Sequence, residues 1–247
     1  PNPRVFLDVA IGRRAVGRLK FELFHDVLPI TSENFRALCT GETGLGYWLR
    51  PRWYKDTRMH RVIPGFMCQG GDFNYGSGRM GESIYAQNFR DERFCYKHSK
   101  RGVLSMSHCG MRNTCNSQFF ITFAPCPWLD GKHVVFGHVV EGMEVLDAIE
   151  TCGTEGGRPS KRVWVHDCGE EDRMLLRQTA LDAGATWASP RSTAADMAAA
   201  LTAEVAVAST GVESMVERPE PLPHASEISP VPDEVWRRAK ARRDNML

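Results

Sequence analysis

Val5 to Ile11 is a dense run of apolar and β-branched residues, and Arg18-Leu19-Lys20-Phe21-Glu22-Leu23-Phe24 alternates polar with apolar. Gly12-Arg13-Arg14-Ala15-Val16-Gly17 joins them, so the pair predicts a β-hairpin. Pro29 stops the second strand, and Thr31-Ser32-Glu33-Asn34 predicts a helix start with Thr31 as its cap. Phe35, Leu38 and Cys39 give that helix an apolar face, and Gly41 ends it. Further short strands are expected at Val103–Met106, Phe119–Phe123, Val134–Val140 and Val163–Cys168, with a turn at Trp128–His133. Gly142–Ile149 has the i, i+3, i+4 apolar spacing of a second helix. Short strands without alternating helices favour an antiparallel barrel or sandwich over a parallel sheet, and closure into a barrel also removes exposed edges.

The texture changes near residue 170, which divides the chain into a β-rich domain, 1–169, and an extension, 170–247. In the extension, Glu170–Leu181 and the alanine-rich Thr193–Ala208 are helix-prone. Pro219, Pro221, Pro223, Pro230 and Pro232 predict an extended linker, and Pro232–Lys240 a short helix with acids at its start and bases at its end. Large apolar residues are too few there for independent folding. The extension is expected either to remain solvated or to dock, on the barrel or on a protein partner gripped by Met174, Leu175, Val235 and Trp236.

One stretch mixes residue types that a plain core strand does not need: Met59-His60-Arg61-Val62-Ile63-Pro64-Gly65-Phe66-Met67-Cys68-Gln69-Gly70-Gly71-Asp72. An arginine sits among apolar residues, a Pro-Gly break follows, and Met67 and Gln69 share a parity, hence a face of a strand. Gln118 and Phe120 repeat that parity. Read alone, the stretch is equally a strand whose arginine snorkels to solvent. Residues 42–58 form a long loop with three large aromatics, Tyr47, Trp48 and Trp53, and a loop of that length is usually functional or docked. Gly76, Gly78 and Gly81 mark a glycine-rich loop without the lysine-serine ending of a phosphate cradle.

Charge and cysteine usage narrow the classes. A formal net charge of +1 gives no bulk attraction to nucleic acid or membranes, and no apolar run approaches the roughly 20 residues of a membrane span. The first residues run directly into a strand-like segment without a secretory or transit pattern. The eight cysteines contain no Cys-x-x-Cys pair and read as buried thiols of a reducing compartment. A cytoplasmic location is expected, with a mitochondrial or cytoskeleton-associated one as the alternative. His108, Cys109 and Cys115 are close in sequence, but three soft ligands at irregular spacing fall short of a structural zinc pattern. No metal and no cofactor is expected.

Asn34-Phe35-Arg36-Ala37-Leu38, the 59–72 stretch, Ser117-Gln118-Phe119-Phe120-Ile121 and Trp128-Leu129-Asp130-Gly131-Lys132-His133-Val134-Val135-Phe136-Gly137 together resemble a cyclophilin from Asn2 to Gly169. The resemblance implies an eight-stranded antiparallel barrel capped by two helices. It also implies cis–trans isomerisation of X–Pro bonds in proteins, assistance to folding, and cyclosporin binding in the same groove. Arg61 would then be the catalytic cation, and Phe66, Met67, Phe120 and Leu129 the proline pocket. Gln69, Gln118, Trp128 and His133 would shape the groove and hold substrate groups, with His60, Ser107 and His108 at its border. The chain departs from the family at Ser107-His108-Cys109-Gly110, where Ala-Asn-Ala-Gly is usual, and carries one extra residue within Met111–Thr114. Isomerase activity is expected: the side-chain changes are tolerated if the backbone path is kept, and activity is reduced if the insertion moves it. The long 42–58 loop resembles the divergent-loop subgroup, some of whose members have a redox-responsive cysteine pair, and Cys39 and Cys168 occupy the matching positions. Two buried thiols are the simpler account of that pair. The alternative function is a barrel kept as an adaptor subunit of a large assembly.

Overall fold

The computed structural model describes residues 2–108 and 110–171. The expected hairpin is β1 (Arg4–Ile11) and β2 (Arg14–Leu23), joined by a two-residue turn, Gly12–Arg13, that is tighter than the six-residue connection read from the sequence. A register shift at Val9/Ala10 absorbs the difference, opposing Val9 to Gly17 and Ala10 to Ala15. The first helix, α1 (Pro29–Thr40), starts two residues before the predicted cap. Leu28 is the N-cap and Pro29 sits in the first turn, where its fixed φ and missing N–H cost nothing. Thr31 is therefore inside the helix. Its N–H and hydroxyl both donate to Glu92, 2.8 Å each, and the Ile30 N–H donates to the same carboxylate. A distant carboxylate thus does the capping expected of Thr31.

The remaining elements are β3 (Arg61–Ile63), β4 (Met67–Gly70), β5 (Val103–Met106), β6 (Phe119–Thr122), a 3₁₀ turn (Pro127–Leu129), β7 (Val135–Glu141), α2 (Met143–Thr151) and β8 (Val163–Glu170). All eight strands form one antiparallel sheet in the order β3-β4-β6-β5-β7-β2-β1-β8. Its two edges, β3 and β8, share no ladder. Residues 56–59 strap them together instead: Asp56 and Met59 donate backbone N–H groups to Val165 and Val163, and Val165 donates to Thr57. The barrel closes through this strap.

The core lies inside the curved sheet. Phe35 of α1 meets four rings, Phe21, Tyr54, Phe119 and Phe136, at centroid distances of 5.0–6.1 Å. A second, smaller apolar cluster lies outside the barrel wall: Ile63, Phe66, Met67, Phe120, Cys126 and Leu129, with Trp128 against it. Alternation along the strands explains the division. Val62, Cys68, Phe119 and Ile121 face inward, and Ile63, Met67 and Phe120 face outward. β4 and β6 are buried along their whole length because both of their faces are covered.

Candidate active site

Register across four strands assembles the site. Arg61 pairs with Gln69, Gln69 with Phe120, and Phe120 with Ser105, so four side chains from β3, β4, β6 and β5 stand in one row on the outer face. A pocket opens over this row, lined by Arg61, Phe66, Met67, Gln69, Ser107, His108, Phe120, Leu129 and His133. Nine of the residues singled out in the sequence thus converge. Of the other three, Gln118 bonds Gln69 of the lining, and His60 packs against Gly78 of the glycine-rich loop. Trp128 packs on Phe66 with ring centroids 5.7 Å apart and extends the apolar wall.

The polar side of the pocket is a chain of amides. Gln69 Nε2 donates to Ser107 Oγ and to Gln118 Oε1, both at 2.9 Å. Gln118 Nε2 donates onward to the carbonyls of Gly78 and Met80. The buried Asp72 carboxylate fixes those carbonyls by accepting N–H groups from Asn74, Tyr75, Ser77 and Gly78. The glycine-rich loop is therefore wound around one carboxylate and holds Gln118, and through it Gln69. Asp72 was legible in the sequence only as the end of a strand-like stretch.

Arg61 is more than half removed from solvent, and burial pulls its guanidinium below the ordinary value without discharging it. Among the described residues no carboxylate is paired with it. Its stem lies against Gly157, where a Cβ would stand 3.0 Å from Arg61 Cγ at a backbone φ of 79°, so only glycine leaves that room. Gly157 and the backbone bond from Val62 N–H to the Gly157 carbonyl seat the arginine from a loop about 95 residues away. The turn between Arg61 and Met67 is held as well. Gly65 N–H donates to Glu150 of α2 at 2.7 Å, and Arg101 binds the other oxygen of that carboxylate.

The site's histidines are held as neutral rings or used as spacers. His133 donates from Nδ1 to the Met106 carbonyl at 3.0 Å, which leaves Nε2 as an acceptor. Burial pulls its pKa down to about 3, assisted by the neighbouring His108 and Lys132. His60 is pulled down to about 4, also by burial, and its Nδ1 has no partner among the described residues. His98, fully buried, bridges Asp130 Oδ1 and Ser105 Oγ at 2.9 Å each and stacks beneath Phe120, 5.7 Å between centroids and 10° from parallel. His98 and Asp130 support the pocket floor.

The departure at residues 107–110 leaves the pocket open. Ser107 N–H bonds the Gln118 carbonyl, so the backbone continues β5 by one residue. His108 stacks on His133 with centroids 4.1 Å apart and planes within 3°. Its Nε2 meets the Lys132 carbonyl and its Nδ1 accepts the Gly110 N–H. Cys109 lies outside the described residues. Residues 110–113 are exposed, and Asp91 and Asn113 each donate a backbone N–H to the other's side chain.

The 42–58 loop is braced by Glu82, whose side chain is 2% exposed. Tyr47 N–H donates to Glu82 Oε2 at 2.9 Å, and any Cβ at Gly46 would overlap Oε1. Cys39 and Cys168, the candidate redox pair, are buried free thiols whose pKa values burial raises. Trp53 covers this region and donates its indole N–H to the Cys39 carbonyl.

Among the described residues no group of three or more His, Cys, Asp or Glu could hold a metal ion, and no helix is long and apolar enough to cross a membrane. The partner-binding residues proposed in the extension, Met174, Leu175, Val235 and Trp236, lie outside the described residues. What converges is an apolar slot with one cation at its side and a fixed row of amides. A family model for the cyclophilin type peptidyl-prolyl cis-trans isomerase/CLD matches residues 6–170.

Proposed function

The chain belongs to the cyclophilin-type peptidyl-prolyl cis-trans isomerase family, and on that premise we propose that it isomerises X–Pro bonds of protein substrates at the pocket beside Arg61. One observation carries the reading: a guanidinium with no carboxylate partner among the described residues stands at the side of an apolar slot. Rotation about the prolyl amide is slow because the nitrogen lone pair is delocalised, and the barrier lies near ~18–20 kcal/mol. Twisting localises that lone pair. A donor placed beside the proline nitrogen bonds the twisted state and has little to bond in the planar one, so it lowers the barrier without a covalent step. Arg61 supplies the donor. Phe66, Met67, Phe120 and Leu129 hold the ring, and Gln69 offers its fixed amide to the backbone of the substrate. With His133 neutral beside it, the slot adds no second charge there to compete with the arginine.

A coupled isomerisation assay tests this on wild type and Arg61→Ala. The expected loss is about 10²-fold or more in kcat/KM, as when one preorganised transition-state donor is removed. A wild type without activity would overturn the reading. Competitive inhibition by cyclosporin is expected on the same grounds. Free thiols throughout the described residues favour a reducing compartment, the cytoplasm above others. A second reading, an adaptor subunit of a large assembly, draws on Tyr47, Trp48 and Leu49, which are 69%, 45% and 66% exposed together at the tip of the braced loop. The two readings are compatible, since a docked barrel keeps its groove.

A further inference from the structure

We propose that Glu150 and Arg101 are positioning residues of the isomerase: together they fix the turn that sets the Arg61 guanidinium against the proline pocket. The inference rests on the isomerase reading and adds two residues that lie outside the lining of the groove.

β3 is an edge strand of three residues, and its one ladder, with β4, has three residue pairs. Pro64 and Gly65 connect the two strands, with Gly65 at a φ of 71° and Phe66 N–H bonded to the Ile63 carbonyl at 3.1 Å. Arg61, Phe66 and Met67 of the pocket lining thus hang on a short edge hairpin. A circuit of four hydrogen bonds holds this hairpin from outside. Gly65 N–H donates to Glu150 Oε1 at 2.7 Å, and Glu150 Oε2 accepts from Arg101 Nη1. The same Nη1 donates to the Phe123 carbonyl at 2.9 Å, and Phe123 N–H donates to the Phe66 carbonyl at 2.8 Å. The circuit leaves the turn at Gly65 and returns at Phe66. Three of its links involve a charged group, the stronger class of hydrogen bond. The Glu150 and Arg101 side chains are 17% and 23% exposed, so solvent screens their contact little. Asp147 binds Arg101 Nη2 at 2.6 Å and holds the fork from its other side. Gly153, just past α2, packs on the same turn, where a Cβ would stand 2.7 Å from Pro64 Cδ.

The place of Glu150 in its own helix points the same way. It lies in the last turn of α2, at the negative end of the helix dipole, with no basic residue in that turn. A carboxylate is unfavourable there, so its contribution lies in its tertiary bonds. The effect belongs to the chemical step more than to binding. Met67, Phe120 and Leu129 can still take up a proline ring when the turn loosens. The Arg61 donor, in contrast, must meet the proline nitrogen in a narrow geometry, and it bonds mainly the twisted state. A loosened turn therefore lowers kcat and leaves KM nearly as it was.

The test compares full-length wild type, Glu150→Ala, Arg101→Ala and the double variant on an X–Pro tetrapeptide, at a temperature where thermal melts show each to be folded. The expected result is a kcat lower by about tenfold in each single variant with KM within about twofold. The double variant is expected to be no slower than the slower single one, since both changes open one circuit. Wild-type kcat in the folded variants would overturn the proposal. A raised KM at unchanged kcat would overturn it too, by making the pair a support of the slot alone, and so would losses that multiply in the double variant. Should an alanine variant fail to fold, Glu150→Gln and Arg101→Lys keep much of each side chain's bulk while removing the charge or the fork, and a kcat at least about threefold below wild type is then expected. Amide NMR gives a readout independent of turnover: the Arg61 and Phe66 resonances are expected to shift in Glu150→Ala, and a coincident Arg61 resonance would count against the proposal. If wild type does not turn over the tetrapeptide, the isomerase reading falls, and the Arg61 resonance still decides whether Glu150 acts on that residue.

Discussion

Arg61 has no carboxylate partner among the described residues, and burial disfavours the charged form of two imidazoles at the same site. His60 and His133 titrate near 4 and near 3 in the folded chain, below the ordinary value of about 6.5, and burial is the main cause for both. As pH falls below about 6.5 the unfolded chain takes up these protons first, so the two rings withdraw stability from the fold. Their contribution is fully present above that pH, declines as pH drops toward about 4 for His60 and about 3 for His133, and is gone below. Each ring sets a slope of at most about 1.4 kcal/mol per pH unit. Urea unfolding at pH 7, 5.5 and 4.5 measures it, and a flat profile across that range would contradict the neutral assignment. The same scale shows what the sequence could reveal. Arg61, Met67 and Gln69 stood out because strand parity is local, and the resemblance supplied their roles. Gly157, Glu150 and Asp130 did not stand out, because each acts on a residue 32 to 96 positions away and belongs to an unremarkable loop or helix surface.

Elements were read more accurately than their ends. Both helices and all the strands predicted within residues 1–169 are present, since burial of one face sets their apolar periodicity, while the helices and proline-rich linker expected in the extension lie outside the described residues. The cap of α1 lies three residues before Thr31, which has the chemistry of a cap, because the acceptor that satisfies the helix's first N–H groups is Glu92, 61 positions from Thr31. The glycine-rich loop was read by exclusion, as no phosphate cradle, and its actual organiser is the Asp72 carboxylate. That gives a prediction for an element. Asp72→Ala frees at least four loop N–H groups and releases the carbonyls that hold Gln118, so it is expected to destabilise the fold by about 1–3 kcal/mol and to raise KM more than it lowers kcat. Thermal melts and isomerase kinetics on the same preparation check both effects. An unchanged KM would show that the Gln118–Gln69 amides hold their positions without the loop.

At the scale of the whole molecule, α1 and β8 come together where Arg36 binds Glu33, Glu42 and Glu170, with Cys39 and Cys168 buried in the same region under Trp53. Thiols pushed away from the thiolate form are poor nucleophiles, so mild oxidant is expected to leave isomerase activity unchanged in wild type and Cys39→Ser alike. Loss of activity in wild type alone would establish the redox-responsive pair that the sequence suggested. The strap at residues 56–59 has a different bearing. Elsewhere the sheet is zipped by ladders of three to eight residue pairs, but between its two edges it is basted by a few backbone bonds through Asp56, Thr57 and Met59. Hydrogen exchange should therefore begin there: the Asp56 and Met59 amides lose protection ahead of those of β1 and β6. Arg61 lies two residues beyond Met59, so on the proposed reading the seam expected to open first is also the one that carries the arginine of the groove.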